Sequence, residues 1–451
     1  MKKIFYCFYF CLIAVLVSAC FSPWRGNGGN LTIVWGNPAN SRAVHIEDLP
    51  GFDYKVILKG PGGTIEEDFT GGVPGASFSL VPGTWSVTVK GGKYYATTPR
   101  LEVMGIKQIE VRAGEKKVEP ITMYNASEAN NWIELQQRAE NDSDPGPYFC
   151  SEHSMFHEEI IVLKPTESDS FMAESTISIA RPIILVSEEP VTITRGPGSV
   201  YPNSIFSLEA DLTLGLSGMT GTLTIDGNDI EASAAIFINS LNDPSLTMNK
   251  GVTIINNLED GYGYGGGVIM YTGEFIMNGG SINNSCRGVH IYLEGKFTMN
   301  GGTISDIISE VNDGSGVCVD GNGTFIMEGG TISGNTASRG GGVYVAGGGS
   351  FIMNSGTISG NSVYDNGGGV YVEGSFEMNG GTISGNTAYY GNGGGVFVSI
   401  SGDNFTMNGG TISGNRAENS GGGVAYFEGN FIRNGGTIKG NYPNPTEAII
   451  P

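Results

Sequence analysis

Imidazoles and thiols are few in this chain, and the repeats offer few acids at equivalent places. Asp320, Glu373 and Glu428 fall at the turn after a Val-x-Val or analogous phrase, and Ala346 and Ser399 take that place in other copies. If these turns stack in register, neighbouring acids lie two coils apart, about 10 Å at ordinary strand spacing. That is too wide for carboxylates that share a proton or flank one bond, so these are expected to be solvated turn residues. His153 and His157 stand four apart beside Cys150, Glu152 and Glu158. On a helix they would share a face and hold zinc, but Pro145 and Pro147 argue against a helix and the spacing is not His-Glu-x-x-His. His45 and His290 stand alone and are expected at the surface. The run Tyr262-Gly-Tyr-Gly-Gly-Gly lacks the Lys-Ser/Thr that engages phosphate. No catalytic residue, metal or cofactor is expected. The candidates for recognition are Tyr344 and Tyr371, outward on their strands, with Phe397 and Tyr426 at related places. Such an aromatic strip can bind sugars or proteins.

A repeat positions these residues. The phrase aromatic–x–Met–Asn followed by Gly-Gly-Thr-Ile recurs from Leu246 onward. Its first place is held by Leu246, Phe275, Phe297, Phe325, Phe351, Phe376, Phe405 and Phe431, at spacings of 22 to 29 residues. Met248, Met277, Met299, Met327, Met353, Met378 and Met407 follow two places on, and Arg433 breaks the series. The Ile place runs from Ile254 and Ile282 to Ile412 and Ile438. Phe376 and Met378 point to one side of a strand and Glu377 to the other, because side chains alternate. Val370 and Val372 do the same around Tyr371. Each unit therefore supplies three short strands with one apolar face, which it cannot bury unaided. Coiling the unit and stacking the next about 4.8 Å above buries that face, like on like. The expected fold is all-β, a parallel β-helix of about 11 coils over 159–451. Gly and Asn serve the sharp turns. Asn335, Asn361, Asn386, Asn415 and Asn441 are expected to stack. So are Asn249, Asn278, Asn300, Asn354, Asn379, Asn408 and Asn434, with Glu328 interrupting.

Upstream, residues 30–125 alternate apolar and polar side chains between Pro/Gly turns, as a small β-sandwich does. Its phrase Phe78–Gly92 is similar to sandwiches of the prealbumin-like or carboxypeptidase-regulatory type. Residues 126–158 are read as a capping helix (127–140) and a linker. Asn131 and Glu134 have capping-box spacing, and Trp132, Leu135 and Ala139 share a face. Such a helix can cover the open end of the first coil, which would otherwise expose apolar surface and strand edges.

The net charge of −21 excludes a basic nucleic-acid interface. Lys2 and Lys3, the apolar run Ile4–Val17 and small residues before Cys20 read as a secretory signal, residues 1–19. Leu16–Cys20 (LVSAC) resembles the lipobox of bacterial lipoproteins. The resemblance implies cleavage before Cys20, a diacylglycerol on its thiol with palmitate-type acylation, and a lipidated tether over 20–29. Cys150, Cys286 and Cys318 are then an odd set, and no disulfide framework is expected.

Phe-x-x-Asn with Gly-Gly-x-Ile, here FIMN, FEMN or FTMN with GGTI, resembles the repeats of chlamydial polymorphic outer membrane proteins. Spirochaetal lipoproteins with a similar lipobox–sandwich–repeat layout carry them too. The resemblance covers roughly residues 246–441. It implies a right-handed parallel β-helix of the pectin-lyase-like kind, a lipid anchor in the outer membrane, display at the cell surface and an adhesive role toward a host protein or glycan. Self-transporting members of that family end in a membrane barrel; here no barrel-length segment precedes Pro451, so anchoring is expected to rest on Cys20. The same fold also serves polysaccharide-binding and polysaccharide-cleaving proteins, the alternative reading. Oligomeric state is not legible.

Overall fold

The computed structural model describes residues 29–35, 53–70, 75–92, 94–95, 98–99, 103–121, 124–140, 159–166, 171–197, 204–231, 233–258, 265–309, 313–399, 402, 404–443 and 447–449. Cys20, His45, Cys150, Glu152, His153, His157 and Glu158 lie outside them.

From Glu159–Leu163 onward the chain winds as a parallel β-helix. One sheet of eleven strands carries the Ile positions and ends at Thr437–Lys439; another of eleven carries the Val-x-Val phrases and ends at Glu447–Ile449. The Phe-x-Met strands, from Ser245–Met248 to Asn430–Arg433, lie in a third sheet. The repeats stack like on like: Phe351 pairs with Phe376 and Met353 with Met378, Ile358 with Ile383, and Val370 with Val396. Side chains alternate, so the inward set is fully buried in one continuous apolar core. Neighbouring Phe rings from Phe275 to Phe431 stack with centroids 4.6–4.9 Å apart, the spacing of the strands that carry them. At Arg433 the series stops: this residue pairs with Met407 but turns its guanidinium to the Gly436 carbonyl instead of the core.

In five successive coils a fourth strand appears that the sequence reading does not contain. Two-residue strands, Ile308–Ser309, Thr336–Ala337, Ser362–Val363, Thr387–Ala388 and Arg416–Ala417, form a short sheet between the Ile and Val strands. Two residues are too few to show a period, so the phrase reads as a turn.

The expected asparagine ladder is present beside it. Asn361 donates through both its backbone N–H and its amide to Asn386 Oδ1, each at 3.0 Å, and Asn386 repeats this toward Asn415 at 2.9 Å. All three are buried. The outer ladder also forms, with Asn379 donating to Asn354 at 3.0 Å and Asn434 to Asn408 at 2.8 Å. Glu328 takes its place as an acceptor, bonded by Asn354 at 2.9 Å.

The helix covers Trp132–Glu140, not 127–140. Asn131 caps it, its Oδ1 accepting the Glu134 N–H at 3.0 Å, while Glu134 reaches back to the Asn130 N–H at 2.9 Å. Trp132, Leu135 and Ala139 close the first coil, with Trp132 6.1 Å from the Phe206 ring. Ser127–Ala129 belong instead to the strand Tyr124–Ala129. That strand pairs antiparallel with Val103–Val111 of the sandwich and parallel with Glu159–Leu163 of the rod. The sandwich and the Phe sheet thus share a single sheet of sixteen strands. An apolar cluster seals the joint: Met104 and Ala126 meet Ile160, Val162, Ile184 and Val186 on the outer face of the first coils. The rest of the sandwich holds its own core around Trp85, Val87, Leu31 and Leu58.

Candidate functional site

The chemistry-bearing side chains gather on the outer side of the Val sheet. The middle residue of each Val-x-Val strand points outward, giving the ladder Ile269, His290, Cys318, Tyr344, Tyr371, Phe397 and Ala425. The sequence places Tyr344 and Tyr371 correctly as outward, but they do not form an open strip. Tyr344, Tyr371 and Phe397 are only 7%, 4% and 6% exposed. Tyr426 takes the final Val place, pairing with Val398, and packs partly buried against the core.

The glycine turn before each strand is what closes the ladder. Gly340, Gly367 and Gly393 have φ of 60°, 73° and 65°, and a Cβ on any of them would come within 2.9 Å of the Cβ of Tyr344, Tyr371 or Phe397. Glycine is required twice over, for its left-handed backbone and for the approach to the ring. Gly367→Ala is therefore expected to cost about 3 kcal/mol of rod stability, from strain plus the clash. Chemical denaturation checks this; an unchanged midpoint would contradict the tight cover.

Arg339 organises the second half of this face. It grips Asp313 bidentately (Nε–Oδ1 3.0 Å, Nη2–Oδ2 2.6 Å), and its Nη1 reaches Glu373 Oε1 and the Tyr371 hydroxyl at 3.2 Å each. Its guanidinium lies over the Tyr344 and Tyr371 rings, 5.3 and 4.9 Å from their centroids. Tyr344 donates to Glu373 Oε2 at 2.9 Å. Burial, reinforced by Glu373, pushes the Tyr344 phenol well above its usual range, so it stays a donor. These acids and phenols are bonded to one another through Arg339. Glu428 does not join them. The place equivalent to Asp320 and Glu373 in its coil is Phe427, because Tyr426 pairs with Val398.

The first half of the face corrects another expectation. His290 is 3% exposed, not a surface residue. It pairs with Cys318 on the next coil, its Nε2 lies 2.6 Å from Asp320 Oδ2, and it stacks on Tyr292 at 3.8 Å. Burial holds the imidazole below its usual range, while the bond to Asp320 works against this. Burial, and then Asp320, pushes the Cys318 thiol well up. Cys286 and Cys318 are both reduced and buried.

The open aromatic surface lies one turn earlier in the coil. Tyr364 and Tyr389 directly follow paired short strands, and Tyr390 N–H bonds the Tyr364 carbonyl at 3.0 Å. They are 43%, 54% and 74% exposed, respectively, for Tyr364, Tyr389 and Tyr390. Beside them runs a fixed amide chain. Asn366 donates to Asp365 at 2.7 Å, Asn392 donates to Asn366 through its backbone N–H at 2.7 Å, and Ser420 donates to Asn392 at 2.8 Å. Counting from Asn361 and Asn386 would have found this pair of coils, since Tyr364 and Tyr389 stand at the same offset from each.

Residues 288–442 match a family model described as the right-handed β-helix region. No curated protein and no solved structure matches the chain. The matched stretch spans the coils that carry the Arg339 cluster and the tyrosine edge, and its family agrees with the parallel sheets seen there: the rod is a right-handed parallel β-helix.

Proposed function

We propose that this chain is a non-enzymatic binding rod of a bacterial envelope. Acylated Cys20 anchors it to the outer membrane, and its β-helix holds a host protein or glycan at the cell surface. The observation that carries this reading is the edge formed by Tyr364, Tyr389 and Tyr390, three exposed rings beside the Asp365–Asn366–Asn392–Ser420 chain. Exposed rings on a stiff backbone offer contact area at small entropic cost, and fixed amides supply directional bonds. The net charge of −21 disfavours polyanionic ligands.

Tyr389→Ala with Tyr390→Ala tests the edge. Both side chains face solvent, so stability should stay within about 0.5 kcal/mol. Binding to immobilised host-cell surface proteins and to a neutral glycan array should fall about tenfold or more. Wild-type affinity retained by the double variant would remove the edge from the reading.

A polysaccharide-cleaving role is the second reading, favoured by the meeting of Asp313, Arg339 and Glu373 on one face. Release of reducing ends from a polysaccharide panel, abolished by Glu373→Gln, would establish it in place of the first.

A further inference from the structure

We propose that His290, Cys318 and Asp320 form a binding site for one thiophilic divalent cation of the zinc class, independent of what the rod's surface binds. Two adjacent coils supply the donors. His290 and Cys318 are register partners, and Asp320 follows Cys318 by two places and so faces the same side. One nitrogen, one sulfur and one oxygen all lie within 4.8 Å of one another. In a tetrahedral zinc site with bonds of about 2.0–2.3 Å, such atoms stand roughly 3.3–3.8 Å apart. Closure around an ion thus asks for side-chain shifts on the order of 1 Å. The backbone beneath is stiff: both strands lie within the ladder, and Asp320 N–H bonds the Ile291 carbonyl at 2.7 Å.

The donor set selects the ion. A thiolate with an imidazole and one carboxylate suits zinc, cobalt or cadmium and is a poor match for calcium or magnesium, which take oxygen donors. His290 and Cys318 are buried, whereas the Asp320 side chain is 31% exposed, which leaves the fourth coordination position toward solvent. Without the ion, the imidazole Nε2–H donates to Asp320. On uptake, the Cys318 thiol releases its proton to solvent and the imidazole proton moves from Nε2 to Nδ1; no electron is transferred. The Arg287 guanidinium, 3.4 Å from Nδ1, then faces a donor and has to turn aside. That cost makes the sulfur–metal bond decisive and excludes cations with little affinity for sulfur.

The test is a cobalt(II) titration of the purified mature chain carrying Cys20→Ser, which removes the anchor thiol. Expected are a sulfur-to-cobalt charge-transfer band, tetrahedral d–d bands saturating at one equivalent, and bleaching by one equivalent of zinc. The bands should vanish in Cys318→Ser, persist in Cys286→Ser, and need at least tenfold more cobalt in Asp320→Asn, whose partly exposed side chain tolerates the change. Circular dichroism verifies that each variant is folded. No sulfur–cobalt band in the parent at millimolar cobalt would overturn the proposal. So would a band that survives in folded Cys318→Ser.

Discussion

Replacing Asn386 by alanine is expected to destabilise the rod by about 4 kcal/mol, far more than the same change at Asn408. Asn386 is fully buried and makes bonds on both sides of its coil. Its Oδ1 accepts two from Asn361, and its amide donates to the Ile358 carbonyl at 3.0 Å and to Asn415 at 2.9 Å. Truncation strands partners that water cannot reach, each costing about 1–3 kcal/mol. Asn408 makes a similar bond, to Asn379 at 2.9 Å, but at the surface, where water takes over. Its loss should cost less than about 1 kcal/mol. Urea denaturation of the two variants reads the difference. Equal losses would mean that the buried ladder adds no more than the exposed one.

Deleting residues 29–129 is expected to make the remaining rod aggregate. The deletion strips the strand Tyr124–Ala129 from Glu159–Leu163 and leaves that edge bare. It also uncovers Ile160, Val162, Ile184 and Val186, which the sandwich buries through Met104 and Ala126. Each such side chain contributes about 1.5–3 kcal/mol when buried. The capping helix remains but covers the coil end, not this flank. Size-exclusion chromatography decides the matter: a monodisperse β-rich monomer at micromolar concentration would show that the rod does not need the sandwich.

The parts of the molecule legible in the sequence are those whose signal repeats locally. Phe351, Met353 and Ile358 recur at fixed offsets, and alternation alone assigns their faces, so the core was readable before any coordinate. The helix start was not. Ser127–Ala129 can begin a helix or end a strand, and the choice is made by partners far along the chain, from Val103 to Leu163. The outward direction of Tyr344 and Tyr371 follows from alternation, but their burial depends on glycine turns folding over them. His290 and Asp320 stand 30 positions apart, and only the coil register brings them to 2.6 Å. Local alternation does not single out the rings of Tyr389 and Tyr390, because the two-residue strand that aims them has no period to detect.

No helix among the described residues is long and apolar enough to cross a membrane. The surface display proposed above invokes acylation of Cys20. The most direct measurement is antibody labelling of intact cells, with serum raised against residues 288–442 and a periplasmic protein as control. Labelling of the rod on intact cells, with the control seen only after permeabilisation, is the predicted result. Labelling that appears for both only once the outer membrane is broken would contradict a surface-displayed binding rod.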